Sequence, residues 1–191
     1  MVKIQVNPLE ATTSNMLNMA EFMQEHADYE RKSADYALSI LGKFPDQASS
    51  ISALANIGKS TISIYADLCE IMEQRGILLI PEVPQNLYLK QLGWLGRSGR
   101  KERFLDRLIL GSIAETRCAK RFQQIADSIE DDDLVRFYEQ CAAKKQEHAD
   151  RYLELAYQST TEPDTVTLRL AELSAEEEKV MASQNGVSGI F

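Results

Sequence analysis

Residues 131–158 read DDDLVRFYEQCAAKKQEHADRYLELAYQ. Stepping through them by alternating fours and threes gives Leu134, Tyr138, Cys141, Lys145, His148, Tyr152 and Leu155, the spacing that puts side chains on one face of an α-helix. That face is apolar at both ends and charged in the middle. Asp131, Asp132 and Asp133 suit the positive N-terminal end of such a helix. The same stepping finds three further seams upstream. They run Ala20, Met23, Ala27, Glu30, Ala34, Ala37, Leu41; then Leu54, Ile57, Thr61, Ile64, Leu68, Ile71; then Phe104, Leu108, Gly111, Glu115, Cys118, Phe122, Ile125. The five prolines (Pro8, Pro45, Pro81, Pro84, Pro163) all fall outside these stretches, as they must if the stretches are helix interiors. Pro163 followed by Asp164 makes a helix start. The pattern predicts helices over 11–42, 47–75, 100–127, 131–158 and 164–184, and an irregular crossover from Gly76 to Gly99 with a short helix around Gln85–Leu92. Strand-like alternation and short repeats are missing. The chain is therefore expected to be all-α: one domain over residues 1–191, with a bundle core over about 11–158, a C-terminal helix over about 164–184 and a loose tail over 185–191.

Composition bounds the function. A chain of 191 residues, 44% hydrophobic and 26% charged, can bury a full core and has the balance of a globular protein. No run of 18 apolar residues occurs, which excludes a membrane-spanning helix, and the first twenty residues lack the apolar core of a signal peptide. Cys69, Cys118 and Cys141 are too few and too scattered for a disulfide framework or a Cys-x-x-Cys site; a reducing cytoplasm is the expected compartment. The net charge of −8 disfavours broad attraction to nucleic acid but leaves room for a local basic patch. The densest basic run is Arg97, Arg100, Lys101, Arg103 and Arg107, beside Trp94. The run Glu176-Glu177-Glu178 is expected to face solvent.

The four seams are interrupted at similar depth by Glu30, Glu115, Lys145 and His148. Polar groups on a core stripe are costly unless they pair with one another or hold a metal. For any single residue, a seam displaced by one position explains as much; four displaced together are a poorer explanation than a buried polar cluster. Helix bundles build carboxylate-bridged two-metal sites from such positions, one Glu from each of two helices and a Glu-x-x-His from each of the other two. Glu30 and Glu115 fit the single-Glu positions. Lys145-Gln146-Glu147-His148 keeps the histidine but has lysine in place of the glutamate, and Thr61-Ile62-Ser63-Ile64 has neither ligand. His26, one turn before Glu30, is predicted to lie beside the seam rather than on it.

Several stretches carry a family resemblance. They are Ala27-Asp28-Tyr29-Glu30-Arg31-Lys32-Ser33-Ala34 with Ala37-Leu38-Ser39-Ile40, Glu70-Ile71-Met72-Glu73-Gln74-Arg75-Gly76-Ile77, and Leu108-Ile109-Leu110-Gly111-Ser112-Ile113-Ala114-Glu115-Thr116-Arg117. Arg121-Phe122, His148 and Tyr152-Leu153-Glu154-Leu155-Ala156 continue them. In order and spacing the chain resembles the tRNA-(2-methylthio-N6-isopentenyl-adenosine) hydroxylases, the MiaE family of ferritin-like non-haem diiron monooxygenases. The resemblance spans the first to the fourth long helix. It implies a ferritin-like four-helix bundle with a long crossover, iron as the cofactor, a reductase partner for an active enzyme, and tRNA as substrate. In the family, oxygen activated at the iron pair hydroxylates the isopentenyl chain of a modified adenosine.

Carried over residue by residue, the resemblance makes Glu30, Glu115 and His148 metal-ligand positions. Thr61 and Lys145 stand where the family has bridging glutamates, and Ile64 where it has histidine. These departures predict that no diiron centre forms. One replacement is electrostatic: an ammonium from Lys145 between Glu30 and Glu115, with a protonated His148, sums to zero without metal. The rival is a mononuclear metal site from Glu115, His148 and Glu30, helped by His26, the only other histidine. Two functions follow: a divergent tRNA hydroxylase, or a metal-free relative that binds or scaffolds. Arg97, Arg100, Lys101 and Arg103 are the candidate RNA contacts, with Trp94 available for stacking; the competing expectation is a solvated helix start whose charges pair with nearby acids.

Overall fold

Helix ends fall where local chemistry puts them. After Gln74 the chain turns through Gly76, whose φ of 68° lies in the left-handed region that glycine enters without strain. There Ile77 N–H donates to the Met72 carbonyl at 2.8 Å and Gly76 N–H to the Glu73 carbonyl at 3.0 Å, the paired bonds of a Schellman stop. At the start of the 132–158 helix the Asp131 carboxylate accepts from the backbone N–H of Asp133 and Leu134, both at 3.1 Å, capping two otherwise unpaired donors.

The computed structural model describes residues 8–80 and 88–183, and every regular element within them is an α-helix: α1 (Pro8–Lys43), α2 (Ala48–Gln74), α3 (Tyr88–Trp94), α4 (Arg100–Ser128), α5 (Asp132–Gln158) and α6 (Pro163–Ser183). The five long helices agree with the sequence expectation to within a few residues. The short crossover helix lies at 88–94 rather than around 85–92, its expected first turn falling outside the described residues, as does the expected loose tail at 185–191. No described helix is long and apolar enough to cross a membrane.

Helix α1 packs along α2, and α4 along α5, while α6 lies against α3, α4 and α5. The predicted seams are the buried stripes. Gly111 is needed for close approach: a Cβ there would meet the Tyr152 ring at 3.0 Å, so the α5 aromatic lies directly on the α4 backbone. The core divides into two apolar halves. One gathers Ala37, Ile40, Leu54, Ile57, Leu108 and Leu155 with their neighbours; the other gathers Met23, Ala27, Ile64, Leu68, Cys118 and Tyr138. Between them, in the middle of the bundle, lies a polar layer.

One expectation is overturned at α6. Glu177 does not face solvent: it is 2% exposed and accepts from Tyr88 Oη at 2.9 Å and from the Arg117 guanidinium, Nη2 at 2.6 Å. A run of three acids carries one residue per turn toward the protein, and here it finds a cation on α4 and a phenol on α3. The C-terminal helix is thus tied to the bundle by an ion pair whose carboxylate is buried and whose guanidinium is half-buried.

Candidate functional site

The polar layer is built by three helices. Glu30 projects from α1, Glu115 from α4, and Lys145 and His148 from α5, all buried. The Lys145 ammonium lies between the carboxylates, with Nζ 2.6 Å from Glu30 Oε2 and 3.1 Å from Glu115 Oε2. The other Glu115 oxygen, Oε1, accepts from Ser33 Oγ at 2.5 Å and Tyr29 Oη at 3.3 Å. The Tyr29 ring also takes the ammonium over its face, 5.1 Å from the centroid, a favourable cation–π contact. His148 Nδ1 stands 3.8 Å from Glu115 Oε2, too far for a hydrogen bond. The expected convergence of Glu30, Glu115, Lys145 and His148 is what the fold produces.

Helix α2 contributes no charge to the layer. Thr61 is buried with its hydroxyl oxygen unpartnered, and Ile64 packs into the apolar half-core with Met23 and Cys118. His26 departs from its expected place: it is fully buried, not beside the seam, with Nε2 3.0 Å from Glu30 Oε1. Residues four apart share a helix face, so the stripe is one residue wider than a single line of threes and fours. Phe122 lies 4.2 Å from the His26 ring, centroid to centroid, and Phe22 and Tyr138 also surround it. Nδ1 has no partner, so the tautomer that satisfies Glu30 carries its proton on Nε2. Ser33 and Tyr29 belong to the site and carried no signal of their own in the sequence.

The electrostatics follow from these contacts. Burial works against ionising Glu115, but the Lys145 charge, then His148 and Ser33, hold its carboxyl down to about 2 from an ordinary 4.5. Burial likewise works against the Lys145 ammonium, and Glu115 and Glu30 outweigh it and push the group well above its ordinary range. Burial dominates at His26 and lowers it. A lysine held protonated is a donor three times over with no lone pair to offer, so a cation already occupies the place between the carboxylates. Burial raises both the Cys118 and Cys141 thiols, which fits small core residues rather than nucleophiles.

A pH profile follows with a definite sign. Glu115 is depressed on folding, so its contribution is present above 4.5 and is lost as pH falls toward 2, amounting to about 3 kcal/mol at 1.36 kcal/mol per unit. Depression of His26 adds a separate loss beginning as pH falls below 6.5. The ammonium, raised on folding, stays charged through neutral pH and takes nothing away until strongly alkaline conditions. Urea unfolding between pH 7 and 3 should show stability falling throughout; a flat profile would contradict the ion-paired Glu115.

Two members of the basic run, Arg97 and Arg100, are paired with acids. Arg97 places Nη2 2.7 Å from Asp106 Oδ1 and Nε 3.0 Å from Oδ2. Arg100 pairs with Asp46. Arg103 donates to the Ser98 carbonyl at 2.7 Å, and Lys101 is exposed.

Residues 9–188 match the family model of tRNA-(MS[2]IO[6]A)-hydroxylase (MiaE). The chain belongs to the MiaE family. A tRNA 2-(methylsulfanyl)-N(6)-isopentenyladenosine(37) hydroxylase of Pseudomonas putida is 28% identical over 140 residues, covering 73% of this chain and 67% of that protein. Among solved structures, a Synechococcus protein with aldehyde deformylating oxygenase activity superposes with a TM-score of 0.82 at 22% identity, over 90% of this chain and 86% of that one. This second likeness is one of fold, and it agrees with the ferritin-like bundle expected from the sequence.

Proposed function

We propose that this chain is a metal-free MiaE-family protein that keeps a binding role toward tRNA without the hydroxylation chemistry of the family. One observation carries the reading: the Lys145 ammonium between Glu30 and Glu115, at 2.6 and 3.1 Å. The residues present do not fit an iron pair. Both bridging positions hold other groups, Thr61 and Lys145, and the remaining histidine position is the hydrocarbon Ile64. Glu30, Glu115 and His148, assigned as metal-ligand positions by family resemblance, serve in this reading as the anionic wall and flank of a fixed ammonium. In the mononuclear alternative Nε2 of His26 is taken by Glu30, which leaves only Nδ1 for a metal, on a ring packed against Phe22, Phe122 and Tyr138. The tRNA part of the proposal rests on family membership, the family being one of tRNA hydroxylases.

Iron content tests it. Protein purified without chelator, after growth in iron-supplemented medium, should hold well under one iron per chain. Iron near two equivalents would restore the divergent-hydroxylase reading, and iron near one equivalent the mononuclear one.

A further inference from the structure

Trp94 is the single tryptophan of the chain, and it stands 69% exposed at the end of α3. The turn that follows it is braced from beneath. Asp106, fully buried on α4, accepts the Arg97 backbone N–H at 2.8 Å and is gripped by the guanidinium groups of Arg97 and of Arg169 from α6. Arg169 also donates to the Leu95 carbonyl at 3.1 Å, and Arg103 to the Ser98 carbonyl. Residues 95–98 are therefore held by hydrogen bonds from three sides while the indole they follow faces water. An exposed large aromatic on a flexible loop is ordinary; one on a fixed corner is a preorganised contact.

The corner is positive in a chain of net charge −8. The Lys90 ammonium lies 5.6 Å from the Trp94 ring centroid. Lys101 is exposed, and Arg103 donates to the neutral carbonyls of Arg97 and Ser98, which leave its charge uncompensated. Of the nearby acids, Asp106 is shared between two arginines, and Glu102 folds its carboxylate back over Gly99 at the start of α4. An exposed indole with one ammonium at its ring and further cations on the adjoining start of α4 suits a base together with its phosphate, and only an unpaired base has a face to offer.

We propose that Trp94, with Lys90, Lys101 and Arg103, forms a stacking platform for an unpaired base of RNA. The proposal rests on the tRNA-binding part of the reading above and gives it a location. Arg103 and Glu115 are separated by about 18 Å along α4 at 1.5 Å per residue, so the cations at the helix start stand apart from the charged layer.

The indole is its own reporter. Titrating a short unstructured RNA oligonucleotide into the wild-type protein should quench tryptophan fluorescence, and the same oligonucleotide annealed to its complement should quench much less. Trp94→Ala should weaken binding about tenfold, with Trp94→Phe retaining most of it, since any aromatic face can stack. Lys101→Glu with Arg103→Glu should weaken binding and flatten its salt dependence. RNA binding that leaves the fluorescence unchanged and is indifferent to Trp94→Ala would overturn the platform while leaving tRNA binding in place elsewhere. Absence of RNA binding by the wild type would overturn both. Iron content, measured separately, decides the metal-free reading without bearing on the platform.

Discussion

Lys145→Met should lower the free energy of unfolding by about 3–5 kcal/mol at neutral pH, the usual cost of removing one partner from a buried charged cluster. Methionine fills much of the space, so the loss is one of charge rather than volume. Glu30 Oε2 and Glu115 Oε2, which both face the ammonium in the wild type, would be left facing each other across it. The pH profile should change sign as well as level. In the wild type Glu115 is depressed, and stability falls as pH drops toward 2. In the variant, burial and the neighbouring carboxylate would raise the folded-state value above 4.5, so stability would be best in acid and would be lost as pH rises. Urea midpoints across pH 5–8 read both effects. A Lys145→Met protein as stable as wild type over that range would remove the case for a compensating lysine.

The second large effect is a gain. Thr61→Glu, Ile64→His and Lys145→Glu together place all six family ligand types on the seams, with Glu30, Glu115 and His148 already there. Without metal this triple variant should melt well below wild type, because it buries uncompensated carboxylates. Ferrous iron should then raise its melting temperature in a concentration-dependent way, by an amount equivalent to about 4 kcal/mol when the metal stands a thousandfold above its dissociation constant. Wild-type protein should show no such shift. If iron leaves the triple variant where it was, the layer is not a converted metal site, and the lysine has some other origin.

How far the chain could be read in advance depended on the range of each interaction. The seams were legible because helical periodicity is local: from Leu134 to Leu155 every seam position is buried. The cluster was legible because Glu30, Glu115 and Lys145 each interrupt such a seam, and charges there have few places to go. His26 was misjudged by taking the stripe as a single line, although its spacing of four from Glu30 was visible. Glu177 and Asp106 are different. Their partners Arg117 and Arg169 lie 60 and 63 residues away in sequence, and nothing local distinguishes a buried acid from a solvated one. Part of the bracing of the Trp94 corner was hidden for the same reason, since Arg169 reaches back to it from α6. Pairing by the basic run was among the expectations, but which arginine would meet which acid was not.

The polar layer between two apolar half-cores also fixes how the helices align lengthwise. Leucine and alanine stripes are tolerant of axial slippage, because one turn of apolar surface packs against another almost as well as the next. A charged layer removes that tolerance. If α5 slid one turn along α1, Lys145 would leave Glu30 and enter hydrocarbon, either beside Ile57 and Leu108 or beside Met23 and Cys118. Every slipped alignment strands at least one ion, so a single alignment survives, much as one polar residue sets the stagger of a coiled coil. A protein that no longer used the position for chemistry would still have reason to keep a charge there, as the peg that holds its bundle to one alignment.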